Sequence, residues 1–275
     1  MKFSLILATI NRTTELEIFL KSLLSQNPQS FELIIVDQNN DNRLQTIIEN
    51  FQDIFKIIHI KSPPGLSRAR NAGLNASTGD LIAFPDDDCQ YPPGLLDNIF
   101  ELFLNNNCDG ISGRCVDEYE RDSAGVFLTK RSLINKFNVW SSAISVSLFI
   151  KRSAIQNLFF DENLGLGSNT PYQSGEETDF VLSLLNNRRQ IIYFPNIFVI
   201  HPSPTTTFTE HAIQRAFKYG MGCGKVLKKH NYPVWYKVYL LFRPLGGALL
   251  SLGCFKISKA KYHFNIFKGR LLGMK

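Results

Sequence analysis

The last 65 residues of the chain, His211 to Lys275, contain no aspartate or glutamate, yet they carry 13 of its 30 lysines and arginines. All 24 acidic residues lie ahead of them beside 17 basic ones, so the net charge of +6 conceals an acidic front and a wholly basic tail. Cysteine is sparse. Cys89, Cys108, Cys115, Cys223 and Cys254 are odd in number and form no C-x-x-C pair, which argues against a disulfide framework or a thiolate zinc site and for reduced, cytosolic thiols. No G-x-G-x-x-G follows the first apolar run and no G-x-x-x-x-G-K-[ST] occurs, so the dinucleotide fingerprint and the P-loop are both excluded. Internal repeats and low-complexity tracts are also absent. The opening "MKFSLILATINRTTE" has too short an apolar run for a signal-peptide core and is expected to be a first strand. A spanning helix needs about 20 mostly apolar residues. "VWYKVYLLFRPLGGALLSLGCF" is interrupted by Lys237, Arg243 and Pro244 before that length is reached.

What is present suits a globular α/β domain. With 44% hydrophobic and 20% charged residues, a chain of 275 can bury a sizeable core. "FSLILAT" (3–9), "FELIIVD" (31–37), "FKIIHI" (55–60) and "DLIAF" (80–84) are short runs rich in Leu and Ile. Such runs fit strands buried on both faces of a parallel sheet. Between them, "ELEIFLKSLLSQ" (15–26) puts Leu16, Phe19, Leu20, Leu23 and Leu24 on one helical face. "GLSRARNAGLNAS" and "PPGLLDNIFELFLNNN" also read as helices. The alternation predicts a doubly wound, mostly parallel sheet. Later, "SAISVSLFIKRSAIQNL" reads as a strand and short helix, "EETDFVLSLLNN" as a helix with acids in its first turn, and "RQIIYFPNIFVIHP" as one or two strands.

Ligands of open α/β sheets bind beyond the carboxyl ends of the strands. Thr9 follows the first strand, Asp37 ends the second, and Asp86, Asp87 and Asp88 follow the fourth. Three adjacent carboxylates near a core repel one another and lose hydration, so something must offset their charge. A solvated turn capping the helix after Pro92 is one solution. A hard divalent cation shared with substrate phosphates is another, and its usual ligands are one or two carboxylates. With no glycine-rich phosphate loop, phosphates would have to be held by metal and side chains, and Arg68 and Arg70 in "GLSRARNAG" are candidates.

These segments together resemble the inverting family 2 glycosyltransferases of the GT-A fold, over about residues 3 to 205. "LILATINR" resembles the opening V-P-T-Y-N-R, with Ala8 and Ile10 in place of Pro and Tyr. "LIIVDQNNDN" resembles I-V-D-D-G-S-x-D, with Gln38 where a second Asp is common. "GLSRARNAG" matches the arginine-asparagine helix, and "IAFPDDDCQYP" the DXD strand end. "FDENLGLGSNTPYQSGEETDF" resembles the acceptor-side loop and its acidic pair, with Glu177 replacing the usual Asp. The resemblance implies a nucleotide-sugar donor, UDP-linked by default, and a Mn²⁺ or Mg²⁺ cofactor. Asp37 would meet the base with Thr9 nearby, and Arg70 the base or a phosphate. Asp86 would reach the ribose or the metal, Asp88 would bind the metal, and Asp87, the variable middle position, is counted after its neighbours among the donor-nucleotide contacts. Glu177 would be the catalytic base and Asp179 a supporting acid or acceptor contact. His201, in "VIHP", sits where several GT-A enzymes place a third metal ligand, and is as readily a structural histidine.

The implied organisation is a GT-A catalytic domain over 1–206 and a basic, helical, amphipathic tail over 207–275. Apolar runs with Lys, Arg, Trp235, Tyr236 and Tyr239 fit helices lying in a lipid interface. Packing on the catalytic domain or pairing in a dimer would also satisfy them. The expectation is a cytoplasmic protein, peripheral at the cytoplasmic membrane face, that acts on a carbohydrate or lipid-linked acceptor in surface or exopolysaccharide synthesis. No reader motif for nucleic acid occurs. A catalytically silent carbohydrate- or nucleotide-binding module, or a nucleotidyltransferase, would share many of these residues.

Overall fold

The computed structural model describes residues 1–27, 29–203 and 207–275, which form two compact units. The first comprises 1–64, 68–159 and 180–203; the second comprises 65–67, 160–179 and 207–275. The expected boundary at 206/207 falls on residues outside the described ones.

The first unit is built on one eight-stranded sheet. Its strands are β1 (Phe3–Thr9), β2 (Phe31–Asp37), β3 (Ile57–Lys61), β4 (Leu81–Ala83), β5 (Gly110–Val116), β6 (Ser132–Leu133), β7 (Leu148–Lys151) and β8 (Ile191–Ile200). They lie in the order β3-β2-β1-β4-β7-β5-β8-β6. The pairs β1–β2, β1–β4, β2–β3 and β5–β8 are parallel; β7 and β6 pair antiparallel with their neighbours. The expected doubly wound α/β sheet is present, with these two reversals. Every residue of β2 is buried, as its unbroken apolar run requires. Helices α1 (Thr14–Leu23), α2 (Gln45–Glu49), α3 (Leu66–Ala76), α4 (Leu95–Asn105), α5 (Arg152–Ile155) and α6 (Glu176–Asn186) join the strands. Leu16, Phe19, Leu20 and Leu23 form the buried face of α1. Leu24, expected on that face, lies beyond the helix and is exposed. Strand β5 went unread because Gly113 breaks its pattern. A Cβ there would meet the Ile197 carbonyl, and the β5–β8 register shifts at this point.

Register places the polar strand ends in one row. Thr9 pairs with Asp37, Asp37 with Lys61, and Ala8 bridges to Asp86. The carboxyl ends of four strands therefore share one rim.

The second unit contains α7 (Glu210–Lys229), α8 (Val234–Gly253) and α9 (Ile257–Gly273). The glycines of α7 leave it continuous and serve close packing. A Cβ on Gly220 would come within 2.6 Å of the Ile266 carbonyl, and Gly222 lies against Ser174. Helix α8 also runs unbroken through Pro244. Proline removes the N–H that would bond the carbonyl four residues back. The guanidinium of Arg270, on α9, donates to that Leu240 carbonyl instead. Among the described residues no helix is long and apolar enough to cross a membrane.

At the other end of β2, Glu32 is fully buried. Its carboxylate accepts from Ser4 Oγ (2.8 Å), Thr78 N (2.7 Å) and Lys56 Nζ (2.8 Å). Burial alone would raise its pKa, but these partners hold it at about 2. A group with a depressed folded pKa stabilises the fold above its unfolded value and loses that contribution as pH falls. The network should therefore contribute roughly 3 kcal/mol near neutrality, fading between pH 4.5 and about 2. Urea unfolding as a function of pH tests this: Glu32→Gln should lower the neutral midpoint and flatten the acid limb. A variant as acid-sensitive as the native chain would remove the network from the account.

Candidate active site

The aspartate trio is not a solvated turn. Asp87 is buried, and its neighbours retain partial exposure. Each carboxylate faces a cation. Asp86 Oδ1 accepts from Arg70 Nη2 at 3.2 Å. Asp87 Oδ1 accepts from Arg12 Nη1 at 2.7 Å, and the same guanidinium nitrogen contacts Asp88. Asp88 Oδ1 lies 3.2 Å from His201 Nε2.

Two paired segments deliver these groups. The backbone of Gln90 bonds reciprocally with Ile200, at 2.8 and 3.0 Å, which brings the end of β8 beside the trio. Arg70 projects from α3 and is 2% exposed, and it also donates to Ser145 Oγ at 3.0 Å. Arg68, two residues earlier, is exposed. Of the two arginines in "GLSRARNAG", then, Arg70 is the one built into the rim.

The environment separates the carboxylates. Burial pushes Asp87 up to about 6, against the pull of Thr9 and Arg12. Burial also acts on Asp88, but His201 and Arg12 outweigh it and bring this group down to about 2. Arg12 and His201 are held above their ordinary values by the same carboxylates, in each case against burial.

Asp86, Asp88 and His201 can each aim one ligand atom so that all lie within 4.8 Å of one another. His201 Nδ1 bonds the Pro202 carbonyl at 2.9 Å, which leaves Nε2 as the nitrogen facing Asp88. A proton on Nε2 makes that contact an ion pair; a divalent ion in its place would satisfy both partners. Two carboxylate oxygens and one imidazole suit Mn²⁺ or Mg²⁺ completed by phosphate and water. The residues present fit such an ion.

Two strands over, Asp37 is fully buried. Its Oδ1 accepts from the Asn39 backbone and side-chain nitrogens at 2.8 and 2.7 Å. Its Oδ2 faces Lys61 Nζ at 2.8 Å and His59 Nε2 at 3.0 Å. Lys61 and the other partners overcome burial and hold the acid below its usual range, so it is held as the anion. Thr9, also buried, stands beside it in register. Thr9, Asp37, Asp86, Asp87, Asp88, Arg70 and His201 therefore share the strand-end rim of the first unit.

Glu177 and Asp179 lie in the first turn of α6, within the second unit. Glu177 is half-buried, and its charge, with that of Glu176, helps hold the Tyr219 phenol above its ordinary pKa, after burial. Asp179 is engaged on both oxygens. Oδ1 meets His230 Nε2 at 2.8 Å, and Oδ2 accepts from Lys229 Nζ at 2.9 Å. Lys229 also donates to Asp161 at 2.7 Å, and the two acids hold its ammonium above the usual range despite burial.

Reading the sequence assigned no role to Arg12, His59, Lys61, Lys229 or His230. Lys61 had a signal, since it closes β3 as Asp37 closes β2. Lys229 and His230 had none, because 50 and 51 positions separate them from Asp179.

The protein-family model for glycosyl transferase family 2 matches residues 4–159, more than half of the chain. The chain belongs to glycosyl transferase family 2. Among curated relatives, this family 2 chain is 28% identical over 171 residues to the GalNAc(5)-diNAcBac-PP-undecaprenol beta-1,3-glucosyltransferase of Campylobacter jejuni, covering 58% of the chain and 55% of that protein. It is 25% identical over 287 residues to the succinoglycan biosynthesis protein ExoM of Rhizobium meliloti, covering 96% and 91% of the two. The chain spans about half the length or less of several other curated relatives it matches. Among solved structures, the mannosyltransferase PcManGT of Pyrobaculum calidifontis, in complex with GDP-Man and Mn²⁺, superposes with a TM-score of 0.67. That match has 14% identity and covers 98% of this chain and 87% of that one. At this identity the likeness shows the GT-A fold, as expected from the sequence.

Manganese titration tests the donor set directly. Asp88→Asn and His201→Ala should each weaken Mn²⁺ binding by about tenfold or more. Asp37→Asn, two strands away, should leave it unchanged. Equal Mn²⁺ affinity in all three variants and the native chain would exclude the trio as a metal site.

Proposed function

We propose that this chain is a metal-dependent, inverting glycosyltransferase that moves a sugar from a nucleotide diphosphate donor to an acceptor hydroxyl. The observation that carries the reading is the convergence of Asp86, Asp88 and His201 within 4.8 Å of one another at the strand-end rim. That rim also holds the ionised Asp37 and the buried Arg70.

The base of the donor would lie against Asp37, whose carboxylate accepts a ring N–H, with Thr9 alongside. A UDP-sugar is the default donor. Asp86, Asp88 and His201 would hold Mn²⁺ or Mg²⁺, which when bound supplies positive charge against the diphosphate leaving group. Arg70 adds fixed positive charge there, held in place by Asp86 and Ser145. Such preorganised charge lowers the barrier to leaving-group departure. Asp87 is assigned to holding Arg12 rather than to the donor.

Glu177 is proposed as the base that takes the acceptor's proton as its oxygen attacks the anomeric carbon. It stands in the first turn of α6, half-buried. Asp179 is a positioning residue in this scheme. Both its oxygens are committed to Lys229 and His230, and they tie the start of α6 to the end of α7. The names of the C. jejuni and R. meliloti relatives support glycan or polysaccharide synthesis on a carbohydrate or lipid-linked acceptor.

Turnover of UDP-sugars with Mn²⁺ is the deciding assay. Asp88→Asn should lower the rate by at least about a hundredfold. Glu177→Gln should lower it by about a hundredfold or more while leaving donor affinity intact. Release of a nucleoside diphosphate is expected; pyrophosphate from a nucleoside triphosphate would make the chain a nucleotidyltransferase. Donor binding with identical, negligible turnover in native and variant chains would make it a silent binding module.

A further inference from the structure

Helix α8 presents its apolar side outward. Tyr236, Leu240, Pro244, Ala248 and Ser251 form the buried face. The opposite face, at the same three- and four-residue spacing, carries Trp235, Val238, Tyr239, Phe242, Leu249 and Leu250, all exposed. Leu249 and Leu250 are 69% and 75% exposed, and Trp235 62%. Scattered apolar residues on a surface need no explanation; a contiguous stripe along a 20-residue helix does.

The charges around the stripe are of one sign. Arg243 stands exposed on α8 itself, and Lys256 is exposed just past its end. No acidic residue occurs anywhere from 211 to 275. A two-fold pairing of this face with a second copy would set one cationic rim against another, because such an interface brings the same patch together. An anionic leaflet instead complements the rim, takes up the aliphatic side chains, and places Trp235 and Tyr239 at the headgroup level where such rings are favoured. The helix does not meet the criterion for spanning, which fits a helix lying in the interface plane.

We propose that the outward face of α8 is a membrane-docking surface, inserted among the headgroups of an anionic lipid leaflet and steered there by Arg243, Lys256 and the acid-free tail. The proposal does not depend on glycosyl transfer, and its test involves no turnover.

Flotation of the full chain with phosphatidylcholine vesicles, with or without phosphatidylglycerol, provides the test, with light scattering to report oligomeric state. Native protein should float with the anionic vesicles at low salt and be largely released at high salt. Phe242→Ser/Leu249→Asp should reduce the bound fraction by at least about tenfold. Arg243→Gln/Lys256→Gln should weaken binding to anionic vesicles by about fivefold per residue. All four positions are exposed, so the variants should keep the native circular dichroism spectrum. No flotation of native protein at low salt would overturn the proposal, as would equal binding to both vesicle types or binding unchanged in the Phe242/Leu249 variant. A dimer that this variant dissolves would instead assign the face to a second copy.

Discussion

Three consecutive aspartates at the end of a buried strand are tolerable only where their charge is met, and the strand-end rim is organised around meeting it. Arg70 faces Asp86, Arg12 spans Asp87 and Asp88, and His201 closes on Asp88. Each cation reaches the trio from a different element. Arg12 follows β1, Arg70 lies on α3, and His201 follows β8. The sheet order that brings β1 beside β4 and the Gln90–Ile200 bridge are thus requirements of the site as much as of the fold. Unmatched, carboxylates this close would take up protons; Asp87, pushed up chiefly by burial and to a lesser degree by its two neighbours, shows the direction. Asp86, Asp88 and His201 stand close enough that a divalent ion held by them would complete the balance that the three cations begin.

The acids of the second unit are divided by a different means. Glu177 and Asp179 share the first turn of α6, and Asp179 is bound on its two oxygens by Lys229 and His230 at the end of α7. The same helix end thus carries one acid that fixes the backbone and a half-buried acid beside it.

The tail solves its own packing problem with unusual means. Gly220 and Gly222 let neighbouring backbone approach α7, and Arg270 takes the carbonyl that Pro244 strands inside α8. With that carbonyl met by α9, α8 runs on through Pro244, one face buried and a second apolar face exposed. Two apolar faces on one helix imply two environments, and the chain itself covers only one of them.

Much of this was legible in the residues alone. Unbroken Leu-Ile-Val runs ending in Thr9, Asp37 and the aspartate trio announced buried parallel strands and a polar rim, because apolar runs and their polar termini are local facts. The acid-free tail was equally plain. Strand β5 was hidden by Gly113, whose purpose is to admit the Ile197 carbonyl from a partner strand distant in sequence. Which arginine was buried, which acid was clasped and which histidine met Asp88 were decided by the tertiary structure, since each depends on a group brought from elsewhere in the chain. Local pattern sets what a segment can be, and long-range pairing sets which charge it meets.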